Sequence, residues 1–272
     1  MDLLVIGVID IHSIIRTSLK KGTINPVSEY TERFSGSALQ VAINAAQLNA
    51  DVGIISPVGR DAVGLMDLLK RYQVDYSRVV LSSKKNPNFL ELYTSNRHYT
   101  LYYQGARADF NFKKIDQNYL KKAKAVHMCF PDQKVTDYLV DVAGKEKVLT
   151  SVDASFSDTP ADIVFTEGKR KEKGKRKRKR KGAHTIVMDF EKEILCNGMK
   201  IPVFRDSTYY KNGVKDAFIA AFLIRYVKSE HIEHAALYGS CAAYLCSQND
   251  KRVLTCTKGE LDTFFEGRMK EE

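Results

Sequence analysis

Hydrophobic and polar residues follow two different patterns along the chain, and the first pattern predicts the main body of the fold. Leu3 to Ile9 is a nearly continuous apolar run rich in β-branched residues, which is typical of a strand buried in a parallel sheet. Comparable runs cover 52–56, 125–130, 148–153, 162–165, 184–190 and 193–196. Helical patterns cover 37–49, 62–72, 133–144, 216–228 and 231–247. Strands that alternate with helices predict an α/β fold with a mostly parallel central sheet flanked by helices.

The second pattern consists of shorter, more polar segments in which polar and apolar residues tend to alternate, and it occurs in two separate places. Ser13 to Leu19 and Val27 to Phe34 flank one turn, and Phe89 to Thr94 and Tyr99 to Tyr103 flank another. Each pair predicts an antiparallel hairpin with one face in water. We therefore expect 12–34 and 87–105 to form one small β-sheet that lies over the central sheet as a lid. The whole chain, 1–272, is predicted to be a single domain.

Two helices carry further expectations. Ser37 is expected to be the N-cap of the first helix, because serine hydroxyls accept hydrogen bonds from the first free amides. The segment 216–228 is apolar almost all round, which predicts a helix buried in the core.

All of the excess positive charge lies in one short tract. Residues 168–182 contain eleven Lys or Arg and one Glu, which accounts for the whole net charge of +10. Such a tract can bind polyphosphate, RNA or an acidic partner. The rest of the chain has no basic bias and the tract lacks aromatic residues that would stack on bases, so a solvated loop is favoured and nucleic acid is an unlikely partner.

The sequence gives weaker evidence on the cellular location of the protein and on whether it binds a metal. The apolar start of the chain lacks a basic n-region, so it is interpreted as a strand and not as a signal peptide, and a cytoplasmic protein without membrane contact is expected. The five cysteines form no CxxC pair and no cluster with zinc-ligand spacing, so no protein-bound metal site is predicted.

Candidate chemistry is expected beyond the carboxyl ends of the strands, where open parallel sheets bind ligands. Asp10 and Asp153 follow buried strands, and Gly213 precedes the buried helix that contains Asp216. The N-terminus of a helix can hold phosphate, and Asp216 in its first turn could accept the proton of a hydroxyl group. On spacing alone an ordinary helix start is the favoured explanation of Gly213 and Asp216. No GxxxxGK loop and no GxGxxG fingerprint is present.

The order of the motifs resembles the PfkB, or ribokinase-like, family of carbohydrate and nucleoside kinases. The matching segments are Gly7-Val8-Ile9-Asp10, Ser35 to Ala42 (SGSALQVA), Val58 to Gly64 (VGRDAVG), Gly105-Ala106, and Asp206-Ser207-Thr208 followed by Gly213 to Phe218 (GVKDAF). The resemblance covers nearly the whole chain outside the basic tract. It implies a three-layer ribokinase-like fold with a lid.

The resemblance also implies an activity and a set of roles. The chain would transfer the γ-phosphoryl group of ATP to a hydroxymethyl group of a sugar or nucleoside, with Mg²⁺ bound mainly to the phosphates. The implied roles are catalytic base for Asp216, anion hole for Gly213, Val214 and Lys215, substrate binding for Asp10, Gly36, Gln40 and Gly105, and ATP binding for Asp189, Glu191 and Ser207. Lid residues such as Tyr93, Arg97 and Tyr103 would shape the choice of substrate. Relatives dimerise through the lid, which leaves a homodimer open.

The sequence departs from the family pattern mainly in the nucleotide half. Lys215 replaces a glycine, four residues from Tyr209 to Asn212 are inserted, and the nucleotide loop at 188–193 lacks its glycines. Only Thr166-Glu167 remains of the element linked to magnesium. Two alternatives to an active kinase therefore stay open: a ligand-binding protein on the same scaffold with weak or absent catalysis, and a nucleic-acid binder through the basic tract.

Overall fold

An eight-stranded sheet forms the centre of the computed structural model, which describes residues 1–168, 182–206 and 209–270. Four strands lie at its middle and one edge: β1 (Leu3–Gly7), β4 (Val52–Ile55), β9 (Ala125–Cys129) and β10 (Leu149–Asp153). The other four are β11 (Ile163–Glu167), β12 (His184–Asp189), β13 (Glu193–Cys196) and β14 (Met199–Ile201). The order is β14-β13-β12-β11-β10-β9-β1-β4, and only the pairs that involve β13 are antiparallel.

Alternate side chains of β1 enter two different hydrophobic clusters, one on each face of the sheet. Leu3 and Val5 pack with α1 (Ser37–Gln47), α2 (Leu65–Arg71), α5 (Val214–Ser229), α6 (Ile232–Ser247) and α7 (Lys258–Met269). Leu4 and Ile6 pack with α3 (Gln117–Leu120) and α4 (Gln133–Lys145) on the opposite face. A strand that is apolar on both faces needs this cover on both sides. The result is the predicted α/β arrangement of three layers.

A separate four-stranded sheet forms the lid. Its strands are β2 (Asp10–Thr17), β3 (Val27–Ser35), β7 (Asn88–Tyr93) and β8 (His98–Tyr103), in the order β3-β2-β7-β8. The two hairpins are antiparallel, and β2 joins β7 in parallel. A third, two-stranded sheet pairs β5 (Pro57–Val58) with β6 (Val80–Leu81). The predicted lid sheet is confirmed.

The structure differs from the sequence-based predictions at the starts of two helices and in two additional elements. Ser37 is not the N-cap of α1: Gly36 occupies that position with no side-chain bond to the helix, and the Ser37 hydroxyl donates to Asp216 instead. The buried helix begins at Val214 and not at Asp216. The strand at Met199–Ile201 and the helix at Lys258–Met269 had no counterpart among the predicted elements.

Two predictions fall wholly or mostly on residues that the structure does not describe. Only the terminal glycines of the basic loop at 168–182 are described, and Ser207 lies outside the described residues. Within the parts that are described, no helix combines the length and the apolar character needed to cross a bilayer.

Candidate active site

A cavity of about 470 Å³ separates the underside of the lid from the carboxyl end of β1 and the start of α1. The side chains and backbone around it come from three of the lid strands, the first helix and two loops near α5. The lining residues are Asp10, His12, Ile14, Ser35, Gly36, Phe89, Glu91, Tyr93, Asn212 and Arg252. We call this space the acceptor cavity. Its volume is that of a small-molecule site.

Asp10 supplies a carboxylate to the acceptor cavity. Its Oδ1 atom is buried and has no hydrogen-bond partner among the described residues. Burial raises the pKa of Asp10 to about 6, although the charge of Arg107 and a hydrogen bond from Tyr102 act in the opposite direction. A buried carboxylate oxygen without a partner is costly unless a ligand donates to it. Asp10 therefore keeps the capacity to accept a further hydrogen bond.

Gly36 brings backbone close to Asp10 because it lacks a side chain. Its φ of 103° lies in a region that favours glycine, and a Cβ atom there would lie 2.5 Å from the carbonyl oxygen of Val8 and 3.3 Å from Asp10 Oδ2. The next residue, Ser37, donates its hydroxyl to Oδ1 of Asp216. This bond joins the acceptor side of the site to the first turn of α5.

Asp216 is only 7% exposed, at the N-terminal end of a helix whose next eight residues are all buried. Burial raises the pKa of Asp216 to about 6, while the Lys215 ammonium and the Ser37 hydroxyl favour the charged form. A carboxylate with a pKa near 6 is a stronger base than an ordinary aspartate and is still ionised at neutral pH. Asp216 thus has the properties expected of a general base.

Gly213 caps α5 in a left-handed conformation with φ 85°. A Cβ atom on Gly213 would lie 2.0 Å from the carbonyl oxygen of Arg252, so only glycine fits this close approach. The first amides of α5, from Val214 onward, have no partner within the helix, and the helix dipole makes this end attractive to anions. The predicted anion hole, Gly213 to Lys215, therefore coincides with a helix N-terminus.

The side chain of Lys215 does not crowd the acceptor cavity. Its Nζ atom lies 2.8 Å from Oδ2 of Asp153, which is fully buried at the end of β10, and 3.5 Å from Oε1 of Glu167. It also lies 5.3 Å from the centre of the Phe156 ring. Burial acts to raise the pKa of Asp153, but the Lys215 charge together with hydrogen bonds from Lys215 and the Ser155 amide lowers the pKa below the ordinary value.

A second cavity, of about 230 Å³, opens on the other side of Lys215, and we call it the nucleotide-side cavity. Asp189 and Glu191, both predicted to bind ATP, line it. The remaining lining residues are Glu167, Gly168, Met188, Phe190, Tyr209, Lys211 and Lys215. Its volume is below the roughly 300–1,000 Å³ of most ligand pockets, so it is too small to enclose a whole nucleotide.

The donor set fits a polyphosphate better than a protein-held metal. Lys215 and Lys211 both line the nucleotide-side cavity and carry positive charge, although Lys211 pairs with Glu191. The described residues contain no cluster of three or more metal-ligating side chains. Asp153 and Glu167, two carboxylates beside the nucleotide-side end of Lys215, already contact its ammonium. A Mg²⁺ ion would therefore be held through the nucleotide phosphates.

Four residues predicted to contact substrate, or to shape the choice of it, do not line the acceptor cavity. The Gln40 amide lies 3.5 Å from Ser35 Oγ, behind the cavity wall. Gly105 is buried against the backbone of Lys85, where a Cβ atom would lie 2.3 Å from a carbonyl oxygen. Arg97 and Tyr103 are exposed on the lid, whereas Tyr93 does line the cavity.

Sequence reasoning missed other cavity residues, of which Arg252 and Asn212 are the most informative. Arg252 lies in the connection between α6 and α7, and Asn212 ends the four-residue insertion. Neither position belongs to a motif. The insertion itself was the only available signal, because residues that lengthen a loop beside an expected active site are candidates to line it.

Comparisons with known proteins agree with this architecture. The sequence model of the family described as "pfkB family carbohydrate kinase" matches residues 2–156. No curated protein matches the chain at a significant level.

Three solved structures illustrate the likeness. Ribokinase of Arabidopsis thaliana, complexed with ribose and ATP, is 15% identical, with a TM-score of 0.82 over 97% of this chain and 98% of its own. Ribokinase of Thermotoga maritima is 16% identical, with a TM-score of 0.79 over 98% and 99%. Nucleoside kinase of Burkholderia thailandensis, complexed with inosine, is 16% identical, with a TM-score of 0.78 over 98% and 97%. At these identities the likeness shows a shared ribokinase fold. Because the sequence model matches more than half of the chain, this protein belongs to the pfkB family of carbohydrate kinases.

Proposed function

We propose that this protein transfers the γ-phosphoryl group of ATP to a hydroxymethyl group of a sugar or nucleoside. The observation that carries the proposal is the buried carboxylate of Asp216, which is held by Ser37 at the anion-binding end of α5. Solved structures with the same fold contain ribose with ATP, or inosine. These ligands support a polyol or nucleoside as acceptor and ATP as donor.

Asp216 accepts the proton of the acceptor hydroxyl as that oxygen bonds to the γ-phosphorus atom. The bond from the γ-phosphorus to its bridging oxygen breaks, and ADP leaves with the electron pair. The hydrogen bond from Ser37 fixes the orientation of the Asp216 carboxylate. A pKa of about 6 lets the group take the proton at neutral pH and release it afterwards.

The first amides of α5 stabilise the negative charge that develops on the transferred group. We assign Lys215 to the same task from the nucleotide side, because its ammonium lines the nucleotide-side cavity one residue from Asp216. Mg²⁺ bound to the phosphates would neutralise further charge. Asp189 and Glu191 are acceptors of hydrogen bonds, so we assign them to the ribose or adenine of ATP and not to its phosphates.

A second candidate function is ligand binding with weak or absent transfer. The observation in its favour is that Lys215, where the family usually has glycine, already contacts two carboxylates. A paired ammonium contributes less to phosphate binding than a free one. Measured turnover separates this candidate from the first.

The experiment compares Asp216→Asn with Asp67→Asn in a coupled assay for ADP release over a panel of sugars and nucleosides. Asp67 is a matched control, since it also lies three residues after a left-handed glycine N-cap, Gly64, but is exposed. We expect Asp216→Asn to lower kcat by about 10²–10⁴-fold with the fold intact. Asp67→Asn should keep full activity. Equal turnover in both variants would refute Asp216 as the base, and wild-type protein that binds ATP but never transfers phosphate would favour the second candidate.

A further inference from the structure

Arg252 brings a positive charge into the acceptor cavity without a carboxylate in direct contact among the described residues. Its Nη1 atom lies 3.1 Å from Nδ1 of His12, on lid strand β2. Among the residues that the structure describes, Arg252 has neither an ion-pair partner nor a facing aromatic ring. Most of the five N–H donors of its guanidinium are therefore available to a ligand.

The contact with His12 does not neutralise this charge. Arginine only donates hydrogen bonds, so Nδ1 of His12 accepts and the proton of the imidazole is on Nε2. That leaves His12 neutral, in agreement with a pKa that burial and the Arg252 charge lower from its ordinary value. Nε2 in turn lies 3.4 Å from Glu91 Oε1. His12 thus connects Arg252 to Glu91 without bringing the two charges together.

Glu91, the acidic group whose charge acts on Arg252, is already engaged with other partners. Glu91 accepts a hydrogen bond of 2.6 Å from Tyr93 and lies 3.9 Å from His98 as well as beside His12. Burial and the charge of Arg33 lower the pKa of Arg252, and the charge of Glu91 opposes them without reversing the direction. A partly buried guanidinium in such surroundings is most stable with an anion beside it.

The backbone of Arg252 points to the same conclusion. Its φ of 65° lies in the left-handed region, which is uncommon for a residue other than glycine, asparagine or aspartate. The turn there brings its carbonyl oxygen against Gly213. Glycine or asparagine would adopt this turn with less strain. The backbone conformation therefore does not explain why this residue is an arginine. The explanation lies in what its side chain does.

We infer that the acceptor substrate carries an anionic group, a carboxylate or a phosphate, that Arg252 binds under the lid while hydroxyls of the same molecule contact Asp10. The inference rests on the proposed kinase function. Arg252 lines the same cavity as Asp10, and its guanidinium is held by a lid strand. It does not line the nucleotide-side cavity. The anion is therefore a part of the acceptor and not of ATP.

The test uses matched pairs of acceptors that differ in charge. D-gluconate is compared with D-glucitol for a carboxylate, and D-fructose 6-phosphate with D-fructose for a phosphate, each with Mg-ATP. We expect at least one anionic member to have a kcat/KM at least about tenfold above its neutral partner. Preference for the first or the second pair distinguishes a carboxylate from a phosphate.

The variants Arg252→Asn, Arg252→Lys and Arg33→Gln identify the residue responsible. Asparagine tolerates the left-handed backbone, so Arg252→Asn removes the charge without straining the turn. It should raise KM for the preferred anionic acceptor by about 10–100-fold and leave kcat nearly unchanged. Arg252→Lys should recover part of the loss. Arg33 is exposed and does not line the cavity, so Arg33→Gln should change KM by less than about threefold.

Two results would overturn the inference while leaving the kinase function in place. They are equal or better turnover of both neutral acceptors, and an equal loss of kcat/KM for charged and neutral acceptors in Arg252→Asn. If no acceptor is turned over, calorimetry measures whether gluconate or fructose 6-phosphate binds to wild-type protein and to Arg252→Asn. Binding that Arg252→Asn abolishes would support the inference and count against the kinase function, and absence of binding to wild-type protein would refute the inference.

Discussion

Lys215→Ala tests the buried ion pair beside the proposed base. Lys215 Nζ and Asp153 Oδ2 lie 2.8 Å apart, and the two side chains are 22% and 0% exposed. Removing one partner of a buried pair costs about 3–5 kcal/mol, because the other charge stays buried without compensation. Water reaches part of Lys215, and Asp153 keeps a hydrogen bond from the Ser155 amide. We therefore expect a loss near the lower limit, about 3 kcal/mol in the free energy of unfolding at pH 7.5.

The loss should depend on pH in a defined direction. In the wild-type protein the pKa of Asp153 is lowered, so the stabilisation is present above the ordinary aspartate pKa and disappears as pH falls through the lowered value. In Lys215→Ala burial acts without the opposing charge and raises the pKa of Asp153. The variant then takes up a proton as pH falls, and its deficit relative to wild type should be smaller at pH 5 than at pH 7.5.

Urea unfolding followed by circular dichroism measures this effect, since the chain contains no tryptophan. The double variant Lys215→Ala/Asp153→Asn should regain about 2 kcal/mol, because it removes both charges. Lys145→Ala, which breaks an exposed pair with Asp141 of similar length, should have little effect on the free energy of unfolding. A cost below about 1 kcal/mol for Lys215→Ala, or an equal cost at both pH values, would refute the reasoning.

Two further predictions concern the same end of the site. Because burial raises the pKa of Asp216 and of Asp10 to about 6, kcat/KM should fall as pH is lowered through 6, with a limiting slope between one and two on a logarithmic plot. A pH-rate profile that is flat from 5 to 8 would contradict an ionised base. Gly213→Ala should destabilise the protein more than Gly64→Ala, because both glycines have positive φ but only a methyl group at 213 meets the Arg252 carbonyl. Equal unfolding midpoints in urea would show that the close approach is unimportant.

The sequence predicts the scaffold well where one periodicity persists over a whole element. Leu3 to Ile9 reads as a buried strand and 216–228 as a buried helix because all of 3–9 and most of the helix, 216–224, are buried. The helix at Lys258–Met269 was missed because only Leu261 and Phe265 are buried, which leaves a weak pattern. Its capping box, formed by Thr257 and Glu260, was a local signal that could have revealed it.

In the candidate site, only the residues that lie in recognisable sequence motifs could be predicted. Asp10, Gly36 and Asp216 lie in motifs, and the fold brings the motifs together. The contact between Ser37 and Asp216 spans 179 positions, and that between Arg252 and His12 spans 240. Such pairings follow from the packing of distant elements and leave no local period in the sequence. For the same reason Lys215 could be recognised as unusual, but its partner Asp153 could not be named.

The way the lid is attached has a mechanical consequence. Only Val8 and Ile9 separate β1 from β2, and only Gly36 separates β3 from α1. Asp10 and Ser35 are paired where the β2–β3 hairpin joins the central body. These short, paired connections contain no flexible linker that could serve as a hinge. A rotation of the lid must turn the Asp10 carboxylate and pull on the first turn of α1.

Through the hydrogen bond of Ser37, the same rotation acts on Asp216. In the proposed kinase, the position of the lid and the orientation of the Asp216 carboxylate are therefore coupled. An acceptor that bridges the lid and Asp10 would fix both of them together. A water molecule in the acceptor cavity is too small to bridge them. In the proposed kinase, this attachment would tie the lid and the base to the bound acceptor, which disfavours hydrolysis of the nucleotide when no acceptor bridges the lid and Asp10.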